Sequence, residues 1–510
     1  MNLTPIIGLE IHVQLKTKSK MFCGCDNSGE NQPPNITVCP VCMGHPGVLP
    51  VANREAIKWT VMAGLALKCQ IPDSFQFERK NYFYPDLPKG YQITSSTKPP
   101  CIGGYLEIDT PEGKRKLRLH HIHLEEDAAK NFHSTDGKDT LVDYNRSSTP
   151  LMEIVTEPDM RNPQEAKTFL QELRLIMRHL GISSADMEKG HLRCDANISL
   201  TDQINETNGE IKFYPKTEIK NLNSFKAVEK ALEYEIKRQT KMWQDGKTPH
   251  QATRGWDENK GVTEEQRTKE EAHDYRYFPE PDIPPINLNK DKSGIDVEAI
   301  KQTMIELPQA KRQRFVTEYD LPLANAKILT DDKGLAVFFE QALSELRAWL
   351  IALDDVEGTQ EEIWQKNKGT LAKLTSNWLI NKLMAIAIKE NKEVYSGENI
   401  TPEDFAEFIT LVHTRKVNST IAQQILEKMF LTGKDPHEIL EQDLGGNQQS
   451  NDNLTEIIQQ VISQNQDQVN QYKAGKETVI QFLIGQVMKL TKGQADPQEA
   501  KDLLINELKK

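Results

Sequence analysis

The sequence predicts an α+β protein in three parts: a strand-rich antiparallel half, a helical domain, and a helical tail. Three observations carry this. Up to about residue 295, short runs alternate apolar and polar residues, the period of a half-buried strand. The proline-rich segment "YFPEPDIPPINLNKDKSG" then breaks both helix and central strand. Beyond it the apolar spacing lengthens to about 3.6 residues, the period of an amphipathic helix. The expected domains are 1–295, carrying an inserted cysteine knot at about 22–43, then 296–398 and 399–510.

The elements follow in order. In "GLEIHVQL", Leu9, Ile11, Val13 and Leu15 alternate with Glu10, His12 and Gln14. A strand here has one apolar face and one chemically loaded face. Turns are expected at "DLPKGYQ" and "DTPEGKRK". In "HHIHLEED", Ile122 and Leu124 point one way while His121, His123 and Glu125 point the other. "TPLMEIVTEPD" lodges Glu153 between Met152 and Ile154. "NPQEAKTFLQELRLIMRHLG" reads as a helix that Asn162-Pro163 opens and Gly181 closes. In "LRCDANISL", Arg193, Asp195 and Asn197 share the face opposite Cys194 and Ala196, and "TEIKNLNSF" sets Glu218 and Lys220 opposite Ile219. "GLAVFFEQALSELRAWLIAL" and "LAKLTSNWLINKLMAIAIKE" are helices. "YSGENITPEDF" opens the last unit, in which "QDLGGNQQSNDN" is polar enough to be a loop.

Bulk properties narrow the class. At 510 residues the chain exceeds one ordinary core. Its net charge of −12 excludes a protein that grips nucleic acid with its whole surface, although local basic patches remain open. No run of 18 apolar residues occurs, and "MNLTPIIGLEIHVQL" has neither a secretory nor a transit pattern. A soluble, cytoplasmic protein without a membrane partner is expected.

The loaded faces admit two readings. An antiparallel sheet commonly wets one side, so each strand alone could be an ordinary solvated one. Yet these faces carry acids, His and Asn rather than Thr and Lys, and an unpaired Glu153 would be costly to bury. Same-face neighbours on a strand sit roughly 6.5–7 Å apart, within convergence of long side chains. The face gathering Glu10, His12, His123, Glu125, Glu153, Asp195 and Asn197 could hold Mg²⁺ or Mn²⁺, which favour oxygen ligands.

The cysteines are more specific. Four of the seven lie in "FCGCDNSGENQPPNITVCPVC" as C-x-C and C-x2-C pairs, and Cys23, Cys25, Cys39 and Cys42 suit a closed, structural Zn²⁺ site. Buried free thiols are the alternative. Cys69, Cys101 and Cys194 read as core.

Ordered motifs along the whole chain, "IGLEIHVQL", "HIHLEEDAAK", "VDYNRSSTPLMEIVTEPD", "KGHLRCDANISL", "TEIKNLNSF", "KEEAHDYRYFPEPD" and "DQVNQYKAGKETVIQFLIGQVMKLTKG", resemble the B subunit of the tRNA-dependent aspartyl/glutamyl amidotransferase. The length matches the bacterial type better than the archaeal glutamate-specific relative with its inserted domain. The resemblance implies a catalytic cradle akin to the glutamine synthetase and guanido kinase fold. It also implies ATP-dependent phosphorylation of the side-chain carboxylate on Glu-tRNA(Gln) or Asp-tRNA(Asn), then displacement of phosphate by ammonia.

By the same resemblance, Glu10, His12, Glu125, Glu126 and Glu153 are assigned to Mg²⁺ or Mn²⁺ sites. Arg193, Asp195, Asn197, Lys220 and Asn221 would contact nucleotide or aminoacyl group, and Lys80, Tyr82 and Lys89 would border an ammonia path. The implied partners are a glutaminase A subunit and a small C subunit in a heterotrimer, tRNA(Gln) or tRNA(Asn), and a non-discriminating synthetase. Lys473, Lys476, Lys489 and Lys492, against Glu477, give the tail a local positive charge suited to tRNA phosphate. One departure stands out: Ser148 follows Arg146-Ser147 where the family usually has Gly, so a φ > 0 position would be strained. Two other classes remain: a non-catalytic, zinc-containing RNA-binding scaffold, and a hydrolase with His12 and His123 on Zn²⁺.

Overall fold

The alternation written into the first half becomes one nine-stranded sheet among the described residues. The computed structural model describes residues 3–134, 136–203, 211–268, 274–288, 295–352, 358–395, 399–443, 451–491 and 497–509. The chain divides into two units, Met1–Leu307 and Pro308–Lys510, and its fold class is α+β.

The sheet strands are β1 (Thr4–Gln14), β2 (Cys101–Ile102), β3 (Tyr105–Thr110), β4 (Gly113–Glu126), β5 (Pro150–Thr156), β6 (Leu192–Thr201), β7 (Thr217–Leu222), β8 (Ala252–Asp257) and β9 (Val262–Thr268). Their order is β9-β8-β7-β6-β1-β5-β4-β2, with β3 also pairing β4. Every pairing is antiparallel except the parallel β7–β8 pair. The centre is therefore β6-β1-β5-β4, the strands with loaded faces.

Three long helices pack in this unit, with the short Val297–Gln302 after them. α2 (Pro163–Leu180) has the predicted limits: Asn162 Oδ1 accepts from Glu165 N at 2.9 Å, and Gly181 closes the helix at φ +74°. α1 (Arg54–Ala66) and α3 (Phe225–Gln244) are not among the predicted elements, although Asn53 and Ser224 cap them. Phe169 and Leu173 of α2 and Val228 and Leu232 of α3 pack into one core with Ile11, Ile122, Ile154 and Ile198 of the sheet. Each such buried side chain contributes about 1.5–3 kcal/mol. With helices on the apolar face, the opposite face is left to the polar residues.

The first compact unit runs past the expected boundary at 295, to Leu307. Phe278–Pro279 pairs with Arg79 and Glu78, and Ile286–Asn287 pairs with Phe75 and Ser74. Arg79 donates to both oxygens of buried Glu280, and Ile283, Ile295 and Ile300 join the first core. Proline is tolerated in such two-residue edge pairs, so this segment adds short strands to two small sheets beside the large one.

In the second unit, the predicted helices appear as Lys333–Ile351 and Gln360–Trp378, the latter running through one π turn into Met384–Lys389. The expected division at 398 falls inside a single core. Phe338 of the first helix and Phe405 of Pro402–His413 sit with ring centroids 5.7 Å apart. A turn at the surface of a bundle carries the same residues as a linker, and the sequence pattern does not separate them. A distinct cluster around Ile458, Leu483, Val487 and Leu504 joins Asn451–Gln464, Ile480–Leu490 and Pro497–Lys509. Most of "QDLGGNQQSNDN" lies outside the described residues. No described helix is long and apolar enough to cross a membrane.

Candidate active site

Strand register builds the site. His12 on β1 stands opposite Glu153 on β5 and Arg193 on β6, and Glu153 stands opposite His123 on β4. Residues directly opposite in an antiparallel pair share a face, so Arg193, His12, Glu153 and His123 form one row across four strands. Glu10 and Asp195 face each other in the next row. Glu125, two residues beyond His123, enters from the other side.

The distances are short. His12 Nε2 lies 3.2 Å from Glu153 Oε2 and 4.0 Å from Glu125 Oε1. His123 Nε2 lies 3.2 Å from Glu153 Oε2 and 3.6 Å from Glu125 Oε2. The side chains of Glu125, Glu153 and His123 are less than a tenth exposed, while His12 keeps 21 %. The carboxylates thus form a buried floor with one opening at His12.

Charge explains the protonation states. Burial alone would lower His123, but Glu153 and Glu125 flank its Nε2 and raise it to about 10. Burial also opposes charge on His12, and the hydrogen bond and charge of Glu153 outweigh it, so His12 is raised. Glu153 is held well below its usual range by the two imidazoles despite burial. Glu10, beside it, is raised to about 7 by burial and then by the Glu153 charge.

The residues fit a divalent cation. One ligand atom each from His12, Glu125 and Glu153 all lie within 4.8 Å of one another. Glu125 Oε2 is buried yet accepts no hydrogen bond, and Asn197 Oδ1 is in the same position. Leaving such atoms unsatisfied is costly, and a cation over Glu125 would satisfy its oxygen. Two carboxylates and one imidazole suit Mg²⁺ or Mn²⁺.

Glu126 is placed elsewhere. One residue past Glu125 on the strand, it points to the other side, where Lys89 pairs with it and Ile93 N donates to Oε1 at 3.0 Å. It therefore does not join the cluster with Glu125, and Lys89 is a structural partner of Glu126. Glu10 borders the cluster without being one of the three converging ligands. Lys80 packs over Tyr275 at 5.0 Å, and the charges of Glu125 and Glu153 raise it against the effect of burial. Tyr82 donates to Gln92 Oε1 at 3.1 Å. Both stand beside the carboxylate floor.

Arg193 and Asp127 extend the site. Arg193 Nη2 donates to Asp127 Oδ2 at 2.8 Å, while its buried Nε has no partner. Arg146 Nε lies 3.7 Å from the same Asp127 oxygen. Asp127 is lowered, Arg193 and Arg146 outweighing its burial. On the neighbouring strands Lys220 pairs with Asp195, and its Nζ is 3.0 Å from Glu218 Oε1. Asn221 is exposed at φ +63°. Asp127 and Glu218 are not among the predicted site residues. Asp127 lies one residue past the end of β4, where strand alternation no longer assigns a face.

The backbone at Ser148 takes the strained conformation. Ser148 adopts φ +67° while buried, with Oγ unpartnered. The four cysteines also converge, their Sγ atoms within 4.8 Å of one another. Four thiolates at that spacing fit a closed tetrahedral site. Cys42 is lowered to about 5, first by its hydrogen bond with Cys23.

A largely antiparallel sheet gathers acids and imidazoles on the face opposite its helices, and the three that converge could hold a divalent cation. Residues 5–293 match the family described as the GatB/GatE catalytic domain, and residues 361–508 match the GatB domain. The B subunit of the aspartyl/glutamyl-tRNA(Asn/Gln) amidotransferase of Thermodesulfovibrio yellowstonii is 44 % identical over 505 residues, covering 99 % of both chains. The protein of the same name from Persephonella marina is 42 % identical over 510 residues, all of both chains, and that of Thermotoga neapolitana is 44 % identical over 504 residues, 98 % and 97 % of the two chains. The chain belongs to the GatB/GatE family of amidotransferase B subunits.

Proposed function

We propose that this chain uses ATP to phosphorylate the side-chain carboxylate of Glu on tRNA(Gln), Asp on tRNA(Asn), or both, and that ammonia then displaces the phosphate. The observation that carries this reading is the convergence of His12, Glu125 and Glu153 beside Arg193 in a member of an amidotransferase family. A side-chain carboxylate oxygen attacks the γ-phosphorus and ADP departs. Ammonia then attacks the acyl carbon, phosphate leaves with the C–O bonding pair, and one N–H proton passes to phosphate. The amide remains on the tRNA.

Phosphoryl transfer asks mainly for positioning and charge neutralisation. His12, Glu125 and Glu153 would hold a cation, which when bound offsets phosphate charge. Arg193, oriented through Asp127, has its Nε still to offer to a phosphate oxygen. Lys220, with a side chain 32 % exposed between Asp195 and Glu218, is placed to meet nucleotide or aminoacyl group, with Asn197 and Asn221 nearby. Lys80 and Tyr82, beside the carboxylates, border the route of ammonia in this reading. The likeness to glutamine synthetase and guanido kinase cradles is part of the same proposal.

The ammonia would come from a glutaminase A subunit, with a small C subunit completing a heterotrimer, and a non-discriminating synthetase would supply the misacylated tRNA. Exposed Lys473, Lys476 and Lys489 suit tRNA phosphates, so binding should weaken with salt; Lys492 lies outside the described residues. The cysteine knot would hold structural Zn²⁺, and the compartment would be the cytoplasm. The test is ADP formation by the chain with its A and C partners, Mg²⁺ and ammonium chloride, with and without glutamyl-tRNA(Gln). Turnover that requires the charged tRNA and collapses in Glu125→Gln supports transamidation. Intact ATP with retained RNA binding would leave a non-catalytic scaffold.

A further inference from the structure

Lys20 is completely buried. Its Nζ lies 3.8 Å from Cys42 Sγ and 3.3 Å from the Tyr144 carbonyl oxygen. Among the described residues no carboxylate stands within ion-pair distance of it. A buried ammonium without a carboxylate needs another source of negative charge. The knot supplies it: four thiolates around one divalent cation carry a net charge of −2.

Lys20 does more than balance charge, because its second partner belongs to another loop. The Tyr144–Thr149 segment leans on the knot throughout. Thr37 N donates to Asn145 Oδ1 at 2.9 Å, Asn145 Nδ2 donates to the Pro33 carbonyl at 2.8 Å, and Ser147 Oγ donates to the Cys42 carbonyl at 3.2 Å. That segment in turn holds Asp127: Ser148 N donates to the Asp127 carbonyl at 2.9 Å, and Asp127 N donates to Thr149 O at 2.8 Å. Asp127 then orients Arg193. The knot thus reaches the sheet face through one loop and one carboxylate.

We infer that Lys20 is a positioning residue, coupling metal occupancy of the four-cysteine knot to the Tyr144–Thr149 loop and so to the Asp127–Arg193 pair. The inference rests on the reading that the knot holds zinc and that Arg193 serves the sheet site. With zinc bound, the four Sγ atoms stay gathered and Lys20 stays drawn between Cys42 and Tyr144. Without it, nothing holds the four side chains together, and Lys20 loses its fixed partner at Cys42.

Hydrogen exchange by mass spectrometry on the full chain tests this without ATP or tRNA, so failure of the transamidation reading leaves the result intact. Zinc content is measured first; one zinc per chain is expected, and a chain purified without metal would overturn the coupling. Stripping zinc should raise exchange in residues 142–149 and 125–129 by about 10-fold or more while β1 holds its protection. Lys20→Met should release zinc to a chelator about 10-fold faster and show the loosened loop with zinc still bound. Equal exchange in loaded wild type and loaded Lys20→Met would overturn the inference. So would a rise spread evenly over β1, the mark of general destabilisation. Should Lys20→Met not fold, the stripped and loaded wild type decide, together with Ser147→Ala, which removes one bond between knot and loop and should loosen the same segment.

Discussion

Glu153 Oε2 and His12 Nε2 face each other across β5 and β1 at 3.2 Å, and the sheet register puts them there. Glu153→Gln preserves shape while removing the charge that raises both imidazoles. Manganese affinity, read from the electron paramagnetic resonance of free Mn²⁺, should fall by about 100-fold, since a neutral amide is a poor replacement for a carboxylate ligand. Unchanged affinity would place the cation elsewhere.

Glu125 and Glu126 are adjacent in sequence and opposite in role. Glu125→Gln removes one of three converging ligands, so Mn²⁺ binding should weaken. Glu126→Gln should leave Mn²⁺ binding unaltered but lower stability by about 3 kcal/mol, because Lys89, only 10 % exposed, loses its counter-charge. Urea unfolding of the two variants beside their Mn²⁺ titrations separates the assignments. A loss of Mn²⁺ binding in Glu126→Gln would restore it to the metal site.

This pair also marks how far the sequence can be read. The face shared by Glu10, His12, His123, Glu125 and Glu153 follows from period-two alternation, and the register realises it. Glu126 enters by resemblance against that alternation, and the strand geometry removes it. Asp127 escapes the pattern because it sits just beyond β4, where its role depends on Arg193 from a distant strand. The local pattern near 295 and 398 shows turn chemistry but not the contacts made across it, because pairs such as Arg79 with Glu280 join residues far apart in sequence. The positive φ expected at Ser148 is present, a backbone shape that a residue with a Cβ adopts only under strain.

A second polar network supplies a pH dependence remote from the sheet site. Glu235 of α3 is fully buried, accepting from Arg238 Nε at 2.8 Å and Gln239 Nε2 at 3.0 Å, with Arg254 Nε at 3.3 Å. Burial alone would raise its carboxyl, but the hydrogen bond and charge of Arg238, with hydrogen bonds from Thr263 and Gln239, hold it below the usual value near 4.5. A depressed folded value stabilises the fold above the unfolded value and loses that contribution as pH falls through the folded one. Stability of the first unit should therefore drop as pH is lowered below about 4.5. Glu235→Gln should cost about 3 kcal/mol at pH 7 and flatten that acid dependence. Thermal unfolding of both proteins from pH 7 to pH 3 measures the difference, and parallel curves would show that Glu235 is not the titrating group.

Ser148 offers a change in the opposite direction. At φ +67° its Cβ costs about 1 kcal/mol, and its buried Oγ finds no partner. Glycine removes both penalties while the two backbone bonds, Ser148 N to the Asp127 carbonyl at 2.9 Å and Met21 N to the Ser148 carbonyl at 2.6 Å, stay in place. Against this stands the greater freedom of glycine in the unfolded chain, roughly 0.5–1 kcal/mol. The relief should win, so Ser148→Gly is expected to stabilise the first unit by about 1 kcal/mol. Ser148→Ala keeps the φ strain and removes only the hydroxyl, so it should fall between wild type and Ser148→Gly. Chemical denaturation of the three proteins orders them, and a Ser148→Gly less stable than wild type would mean that the serine hydroxyl has a partner in solution worth more than the strain it replaces.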